Sequence, residues 1–114
     1  MLFRSENATV VNCHTRTVDV PSITRQADIL IAASGQLHSV TREYTNPDQV
    51  VIDVGINWDA EKGGISGDVA FEDVEPCVRA ITPVPGGVGS VTSCVLIGHV
   101  IEAAKRCAAS GSAR

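Results

Sequence analysis

Short apolar segments separated by polar turns run along the chain and predict strands that alternate with short helices. The strands are predicted at residues 8–13, 28–33, 50–54 and 80–82, where β-branched residues concentrate. Short helices are predicted at residues 21–27, with Asp19 as N-cap, and at 71–78, with a helical turn at 41–45. This alternation predicts parallel pairing through right-handed crossovers.

The two ends of the chain and one glycine-rich segment complete this pattern. Residues 1–6 are predicted to be the last turn of a helix that Asn7 closes in a left-handed conformation. Residues 59–67 are predicted to form a loop or a loose hairpin. Apolar residues recur at helical spacing over residues 91–109, which predicts a long helix with one broad buried face. Residues 110–114 are predicted to be a loose tail.

The composition fits one small domain, predicted at residues 1–109, with an aliphatic core. The chain has 114 residues, of which 44% are hydrophobic and only 4% aromatic. Val, Ile, Leu and Ala must therefore build the core, which suits a parallel sheet covered on both faces.

The charge and the cysteines exclude several classes of function. The net charge is −4 and no basic run occurs, so nucleic acid is not an expected partner. The apolar stretches are judged too short to span a membrane, and no signal peptide is recognised, so a cytoplasmic location is expected. The four cysteines are expected to be free buried thiols, because their spacing does not suggest a metal site.

Four turns that follow predicted strands are the candidate ligand sites. They comprise residues 13–17, 32–35, 55–57 and 83–92, and all are rich in small or hydroxylic residues. In an open parallel sheet, ligands bind beyond the carboxyl ends of the strands, and small residues let a ligand approach the backbone. We therefore expect these turns to form one edge of a nucleotide site.

The first of these turns carries the most chemistry. In a dinucleotide-binding domain an acidic residue here holds the ribose of NAD, whereas an arginine accommodates the 2′-phosphate of NADP. This turn has no acid, so Thr15 and Arg16 favour NADP; the alternative is a solvated arginine beside threonines that cap the next turn. His14 either touches a cofactor phosphate or makes a structural hydrogen bond. The first strand and the glycine-rich phosphate loop should lie before this point and are expected outside the chain.

Several motifs occur in the order of one known family. They are Asn7-Ala-Thr-Val, Cys13-His-Thr-Arg-Thr17, Ile23-Thr-Arg-Gln-Ala-Asp-Ile-Leu-Ile31, Val51-Ile-Asp-Val-Gly-Ile-Asn57, Gly67-Asp-Val69 and Ile81-Thr-Pro-Val-Pro-Gly-Gly-Val-Gly89. Over nearly the whole chain they closely resemble the C-terminal part of the bifunctional methylenetetrahydrofolate dehydrogenase/methenyltetrahydrofolate cyclohydrolase family (the FolD type). The last motif is highly specific.

The resemblance implies an α/β fold: an incomplete Rossmann-type domain with a mostly parallel sheet, no first strand, no phosphate loop and a long C-terminal helix. It implies an NADP cofactor, a folate substrate and a homodimer for the full-length enzyme. That enzyme oxidises 5,10-methylenetetrahydrofolate to the methenyl form and hydrolyses this to 10-formyltetrahydrofolate. Its catalytic lysine belongs to another domain, so no catalytic residue and no metal ligand are assigned here.

The resemblance also assigns binding residues. Thr15 matches a serine that contacts the 2′-phosphate, with Arg16 and His14 beside it. Ile56 matches a residue whose backbone contacts the cofactor near the nicotinamide. Further cofactor contacts are expected from Ala33, Ser34, Gly35 and Thr92, and contacts near the folate from Pro85, Gly86 and Gly87.

For four other polar residues we expect a structural role or no partner. Ser90 stands where the family usually has proline and is expected to cap the last helix. Asp53 and Asp68 are expected to be structural and to accept hydrogen bonds from neighbouring turns. His38 is expected to have no partner.

Three hypotheses about function remain open. The chain is the NADP-binding part of the enzyme and inactive alone, or a non-catalytic homologue that binds a nucleotide or a partner, or a structural fragment. In the last case the strand at residues 8–13, without its central neighbour, is expected to drive self-association.

Overall fold

A small parallel sheet with short helical connections forms this domain in the computed structural model, which describes residues 5–111. Its elements in chain order are α1 (Val20–Thr24), β1 (Ile29–Ala32), a 3-10 turn (Arg42–Tyr44), β2 (Val50–Asp53), β3 (Asn57–Asp59), β4 (Gly64–Ser66), α2 (Phe71–Val74), a second 3-10 turn (Glu75–Cys77), β5 (Ala80–Ile81) and α3 (Val88–Ala109). Asn7 has the predicted left-handed conformation, with φ of 62°. The predictions for residues 1–4 and 112–114 lie outside the described residues.

The three strands β1, β2 and β5 lie side by side in that order and are all parallel. Ile29 lies opposite Val50, and Val50 lies opposite Ala80 on its other side. The short strands β3 and β4 form a separate antiparallel hairpin, as expected for residues 59–67. These pairings confirm the α/β fold class and the mostly parallel sheet.

The core is small and aliphatic, as the composition predicts. Its buried members are Ala32, Val40, Val51, Val69 and Val74, against which Leu30, Tyr44, Val78 and Ile81 pack. Val40 and Val69 also form a parallel bridge, which ties the segment after β4 to the loop after β1. The core therefore joins β1 and β2 to the segment that follows the hairpin.

The helix α1 begins as predicted but ends earlier than predicted. Asp19 accepts a hydrogen bond from the Ser22 amide at 3.4 Å, which makes it the N-cap. At the other end, the fully buried Gln49 donates from Nε2 to the carbonyl oxygens of Thr24 and Ala27, at 2.7 and 2.9 Å. These side-chain bonds replace helical partners and turn the chain toward β1.

The prediction of a strand at residues 8–13 is wrong, because this segment belongs to no sheet and is mostly exposed. In a doubly wound sheet of order 2-1-3-4-5, the second strand pairs with the first. No segment among residues 5–111 occupies that first-strand position. The outer edge of β1 is therefore unpaired as well, and Ile29 is 58% exposed.

The long helix α3 exists as predicted, but the predicted buried face does not. Every residue of α3 is at least partly accessible, including the large apolar side chains of Val91, Val95, Leu96, Ile97, Val100 and Ile101. The helix has 22 residues, and an 18-residue window of it has a mean hydropathy of 1.2, so it is long and apolar enough to cross a membrane by length and composition. The statement that every apolar stretch is too short for a membrane is therefore wrong.

The cysteines also differ from expectation. All four are free, as predicted, but Cys13, Cys94 and Cys107 are exposed and Cys77 is half-buried. Cys94 and Cys107 lie on α3, so the lack of a covering surface on that helix explains their exposure.

Exposed apolar residues on α3 and the open edge of β1 lead us to expect self-association of the isolated chain. Light scattering at increasing concentration should give a mass above that of one chain. Val95→Lys places a charge among the exposed apolar residues and should shift the population toward monomer. Ala103→Lys, which adds the same charge nearer the polar end of the helix, should have a smaller effect. A monomer at high concentration would contradict this expectation.

Candidate functional site

A cleft of about 510 Å³ opens where β2 and β5 end. Its lining comprises Asp53, Val54, Gly55, Ile56, Ile65, Pro83, Val84, Pro85, Gly86, Gly87, Val88, Gly89, Ser90, Thr92 and Ser93. Two of the four predicted turns thus meet in one place, and five predicted site residues lie in the lining: Ile56, Pro85, Gly86, Gly87 and Thr92. The cleft lies beyond the carboxyl ends of the strands, where an open parallel sheet binds ligands.

The Pro-Val-Pro-Gly-Gly segment forms one wall of this cleft. Thr82 anchors its start, since its hydroxyl oxygen accepts a hydrogen bond from the Asp53 amide at 2.8 Å. Gly86 has φ of 91°, and a Cβ on Gly87 would overlap the Pro83 carbonyl oxygen. Two consecutive glycines are therefore needed to fold this turn and lead directly into α3.

The helix α3 starts at the cleft, but not with the predicted cap. Gly87 is the N-cap residue and no side chain caps the helix. Ser90 lies within the first turn, so its expected capping role is wrong. The glycine turn brings the chain into helical geometry earlier than the predicted start at residue 91. Thr92 donates from Oγ1 to the Val88 carbonyl oxygen at 2.7 Å, which fixes its side chain at the cleft.

Asp53 shapes the floor of the cleft through three backbone amides. Its carboxylate accepts from Gly55 at 2.9 Å, from Asp68 at 3.1 Å and from Val69 at 3.0 Å. The residue is only 4% exposed. This confirms the expected structural role, because a carboxylate that accepts hydrogen bonds from three amides is held in place.

Asp68 joins two predicted ligand turns. Oδ2 accepts from the amides of Ser34 and Gly35 at 2.5 and 2.9 Å and from the Ser34 hydroxyl at 3.0 Å. Oδ1 accepts from Asn57 Nδ2 at 2.8 Å. Asp68 is fully buried. Its expected structural role is confirmed, but the sequence did not show that it contacts a turn more than 30 positions away.

The pKa of Asp68 reflects these opposing effects. Burial acts to raise the pKa of its carboxyl group, while hydrogen bonds from Asn57, Gly35 and Ser34 lower it and outweigh the burial. The net pKa lies below the usual value of 3.8, so the group is ionised at neutral pH.

Two glycines allow the carboxylates to approach the backbone. A Cβ on Gly55 would overlap the Asp68 carboxylate, and a Cβ on Gly67 would overlap that of Asp53. These residues of the Asp-Val-Gly-Ile-Asn and Gly-Asp-Val motifs therefore act together. The motif spacing indicated their importance, but only the tertiary contacts explain it.

The predicted 2′-phosphate turn lies apart from the cleft lining. His14 accepts from the Arg16 amide on Nδ1 at 3.2 Å, and its own amide donates to Thr17 Oγ1 at 2.9 Å. The ring of His14 thus makes a structural hydrogen bond, which is one of the two roles that the sequence left open. Thr15 and Arg16 are exposed. Neither they nor Ala33, Ser34 and Gly35 line the cleft, although Asp68 ties the latter turn to its rim.

His38 has partners that the sequence did not indicate. Its Nε2 lies 3.0 Å from Ser66 Oγ and 3.7 Å from Asp59 Oδ2. The expectation of no partner is wrong, because both residues come from the hairpin more than 20 positions away. No group of three potential metal ligands occurs among residues 5–111.

Sequence comparison gives the family of this domain. A profile described as the NAD(P)-binding domain of tetrahydrofolate dehydrogenase/cyclohydrolase matches residues 1–108. The chain belongs to this family. The bifunctional protein FolD of Clostridium botulinum is 53% identical over 106 residues, and that of Carboxydothermus hydrogenoformans is 54% identical over 104 residues. These matches cover 93% and 90% of this chain but only 37% and 36% of the relatives.

Solved structures of family members have the same fold. The bifunctional dehydrogenase/cyclohydrolase of Thermoplasma acidophilum superposes with a TM-score of 0.84 at 42% identity, covering 91% of this chain and 37% of its own. The FolD enzyme of Campylobacter jejuni superposes with a TM-score of 0.82 at 43% identity, and the match covers 87% of this chain and 35% of that enzyme. The Trypanosoma brucei enzyme, solved with NADP cofactor and an inhibitor, gives 0.71 at 37% identity, covering 79% and 32%.

Replacing the two close-approach glycines should destabilise the domain. Gly55→Ala and Gly67→Ala each force a methyl group against a buried carboxylate and should lower the free energy of unfolding by about 2–4 kcal/mol. Urea denaturation followed by circular dichroism measures this. The control is Gly98→Ala, because a Cβ there meets open space within α3 and should stabilise the helix by up to about 1 kcal/mol. Equal effects at all three glycines would contradict the role of the carboxylates.

The stability of the domain should depend on Asp68 at acid pH. The folded pKa lies below the unfolded value of 3.8, so the ionised group stabilises the fold above that pH. This contribution is lost as the pH falls from 3.8 through the lower folded pKa. The free energy of unfolding, measured with urea, should therefore fall more steeply below about pH 4 for the unmodified chain than for Asp68→Asn. Parallel curves for the two proteins would show that Asp68 does not contribute.

Proposed function

We propose that this chain forms the NADP-binding wall of a methylenetetrahydrofolate dehydrogenase/cyclohydrolase. The observation that carries the proposal is the cleft, where the Gly55-Ile56 turn meets the Pro-Val-Pro-Gly-Gly-Val-Gly segment at the carboxyl ends of parallel strands. The family match and the likeness to an enzyme solved with NADP support it. When bound, NADP would accept a hydride from the methylene group of the folate.

Residues of the cleft would bind and orient the two ligands. Ile56 lies in the cleft lining and is 70% exposed, and its backbone would contact the nicotinamide end of the cofactor, as the resemblance implies. Gly86 and Gly87 have no side chain, which lets the folate and the nicotinamide approach the backbone beside Pro85. Thr92 would face the cofactor from the first turns of α3.

The role proposed for this chain is binding rather than catalysis. Asp53 is the one titratable residue in the cleft lining, and three backbone amides engage its carboxylate. It is therefore poorly suited to proton transfer. We propose that the catalytic residues of the oxidation and of the hydrolysis to 10-formyltetrahydrofolate belong to the part of the relatives that this chain does not span.

The exposed turn at residues 13–17 would bind the adenosine end of the cofactor. Arg16 would pair with the 2′-phosphate and Thr15 would donate its hydroxyl, as the resemblance implies. The compact hydrogen bonding around His14 holds this turn in shape.

We also propose that the whole enzyme is a cytoplasmic homodimer. Four free cysteines are typical of a reducing compartment. Exposed apolar residues on α3 and the open edge of β1 provide surfaces that a larger assembly would cover. The same surfaces favour the alternative function, a non-catalytic homologue that serves as a nucleotide-binding or interaction module.

The selectivity of Arg16 tests the proposed cofactor. Arg16→Ala should weaken NADP binding about ten-fold or more and leave NAD binding unchanged, because only NADP carries the phosphate. Isothermal titration of the chain with each dinucleotide measures this. Arg79→Ala, which removes another exposed arginine, is the control and should bind both as before.

Two results would contradict the cofactor proposal. Equal loss of NADP and NAD binding in Arg16→Ala would remove the assigned role of this residue. No binding of NADP by the unmodified chain, together with self-association, would favour the interaction module.

A further inference from the structure

We propose that Asp68 is a positioning residue that makes the Ala33–Gly35 turn select a hydroxyl-bearing part of the ligand, such as ribose, over a phosphate. The proposal rests on the proposed function, since it concerns how the same nucleotide site recognises its ligand. It assigns Asp68 a role in specificity in addition to its structural one.

The hydrogen-bond donors of the Ala33–Gly35 turn are engaged within the protein. A turn whose successive backbone N–H groups face outward can bind an anion such as phosphate. Here the amides of Ser34 and Gly35 both donate to Asp68 Oδ2, at 2.5 and 2.9 Å. The Ser34 hydroxyl donates to the same oxygen at 3.0 Å. The donors of the turn are therefore directed inward.

The turn presents hydrogen-bond acceptors to a ligand. Ala33, Ser34 and Gly35 are exposed. Within the described part of the chain, no backbone amide donates to the carbonyl oxygens of Ala33 or Ser34. A surface with free acceptors and engaged donors favours ligand hydroxyl or amide N–H groups.

The negative charge of Asp68 also disfavours phosphate at this turn. Asp68 is fully buried and holds its negative charge directly beneath the turn. Because it lies within one turn of the ligand surface, this charge repels an approaching anion. A neutral ribose meets no such repulsion, so charge and hydrogen bonding act in the same direction.

Asp68 also links the Ala33–Gly35 turn to the cleft. Asp68 Oδ1 accepts from Asn57 Nδ2 at 2.8 Å, and Asn57 directly follows the cleft residue Ile56. A Cβ on Gly55 would overlap the Asp68 carboxylate. The position of the ribose-binding turn is thus tied to that of the turn facing the nicotinamide.

The experiment uses amide NMR spectra of the ¹⁵N-labelled chain, with pyrophosphate and NADP as probes. In the unmodified chain, pyrophosphate should leave the Ser34 and Gly35 resonances unmoved and NADP should shift them. In Asp68→Asn, both resonances should move upfield before any ligand is added, because a neutral acceptor replaces a charged one. The affinity for NADP should fall roughly ten-fold.

A double variant distinguishes the effect of the Asp68 charge on the turn from a general loss of thermal stability. In Asn57→Asp with Asp68→Asn, the two side chains can hydrogen bond again in the opposite sense, with the charge moved away from the turn. We expect thermal stability to recover substantially, while the Ser34 and Gly35 resonances and the NADP affinity stay close to those of Asp68→Asn. Recovery of NADP affinity together with stability would overturn the proposed role of the charge.

Asp59→Asn is the matched control. Asp59 is a buried aspartate that accepts the amides of Glu61 and Lys62 at the hairpin, at 3.0 and 3.2 Å. It should lose stability without changing the Ser34 and Gly35 resonances. Movement of these resonances by pyrophosphate in the unmodified chain would overturn the proposal. If the unmodified chain binds no NADP, the proposed function fails, but the resonances in Asp68→Asn still show whether its charge holds the turn.

Discussion

The hydrogen bonds that two buried carboxylates accept from the backbone determine the geometry of this site. Asp53 accepts three amides and Asp68 accepts two amides, a hydroxyl and a side-chain amide. An ionised carboxylate is costly to bury unless such bonds compensate for lost hydration, and each is worth about 1.5–3 kcal/mol. The turns around the carboxylates are therefore held in the one arrangement that satisfies them.

The composition of the motifs follows from this constraint. Gly55 and Gly67 lie where a side chain would overlap a carboxylate, so the glycines and aspartates of the two motifs depend on each other. The result is a rigid floor on which the cleft and the Pro-Val-Pro-Gly-Gly segment rest. A preorganised floor suits the ligand binding that we propose for this cleft.

The rest of the described structure exposes strand edges and apolar side chains that folded domains usually cover. The sheet has an open edge at β1, residues 8–13 pair with no strand, and α3 carries large apolar residues that nothing among residues 5–111 covers. The chain spans about 37% of the length of the relatives it matches. Its site is rigid where Asp53 and Asp68 organise it, while its periphery exposes surfaces typical of an interface.

The elements that the sequence predicted correctly are those with local causes. Asp19 caps α1 through its own side chain, β2 is a run of β-branched residues, and the glycine turn before α3 follows from Gly86 and Gly87. The strand at residues 8–13 failed, although its composition is equally favourable. A strand needs a hydrogen-bonding neighbour, and composition alone does not supply one.

By itself, the sequence determined the α/β class, the mostly parallel sheet, the family and the segments that form the cleft, because periodicity, turn residues and motif spacing can be recognised without the fold. Only the tertiary structure decided where α1 ends, which amides Asp68 engages and what His38 contacts. Gln49, Asp68 and His38 act on partners about 20 to 35 positions away. Such contacts form when packing brings distant segments together, so no local pattern in the sequence encodes them.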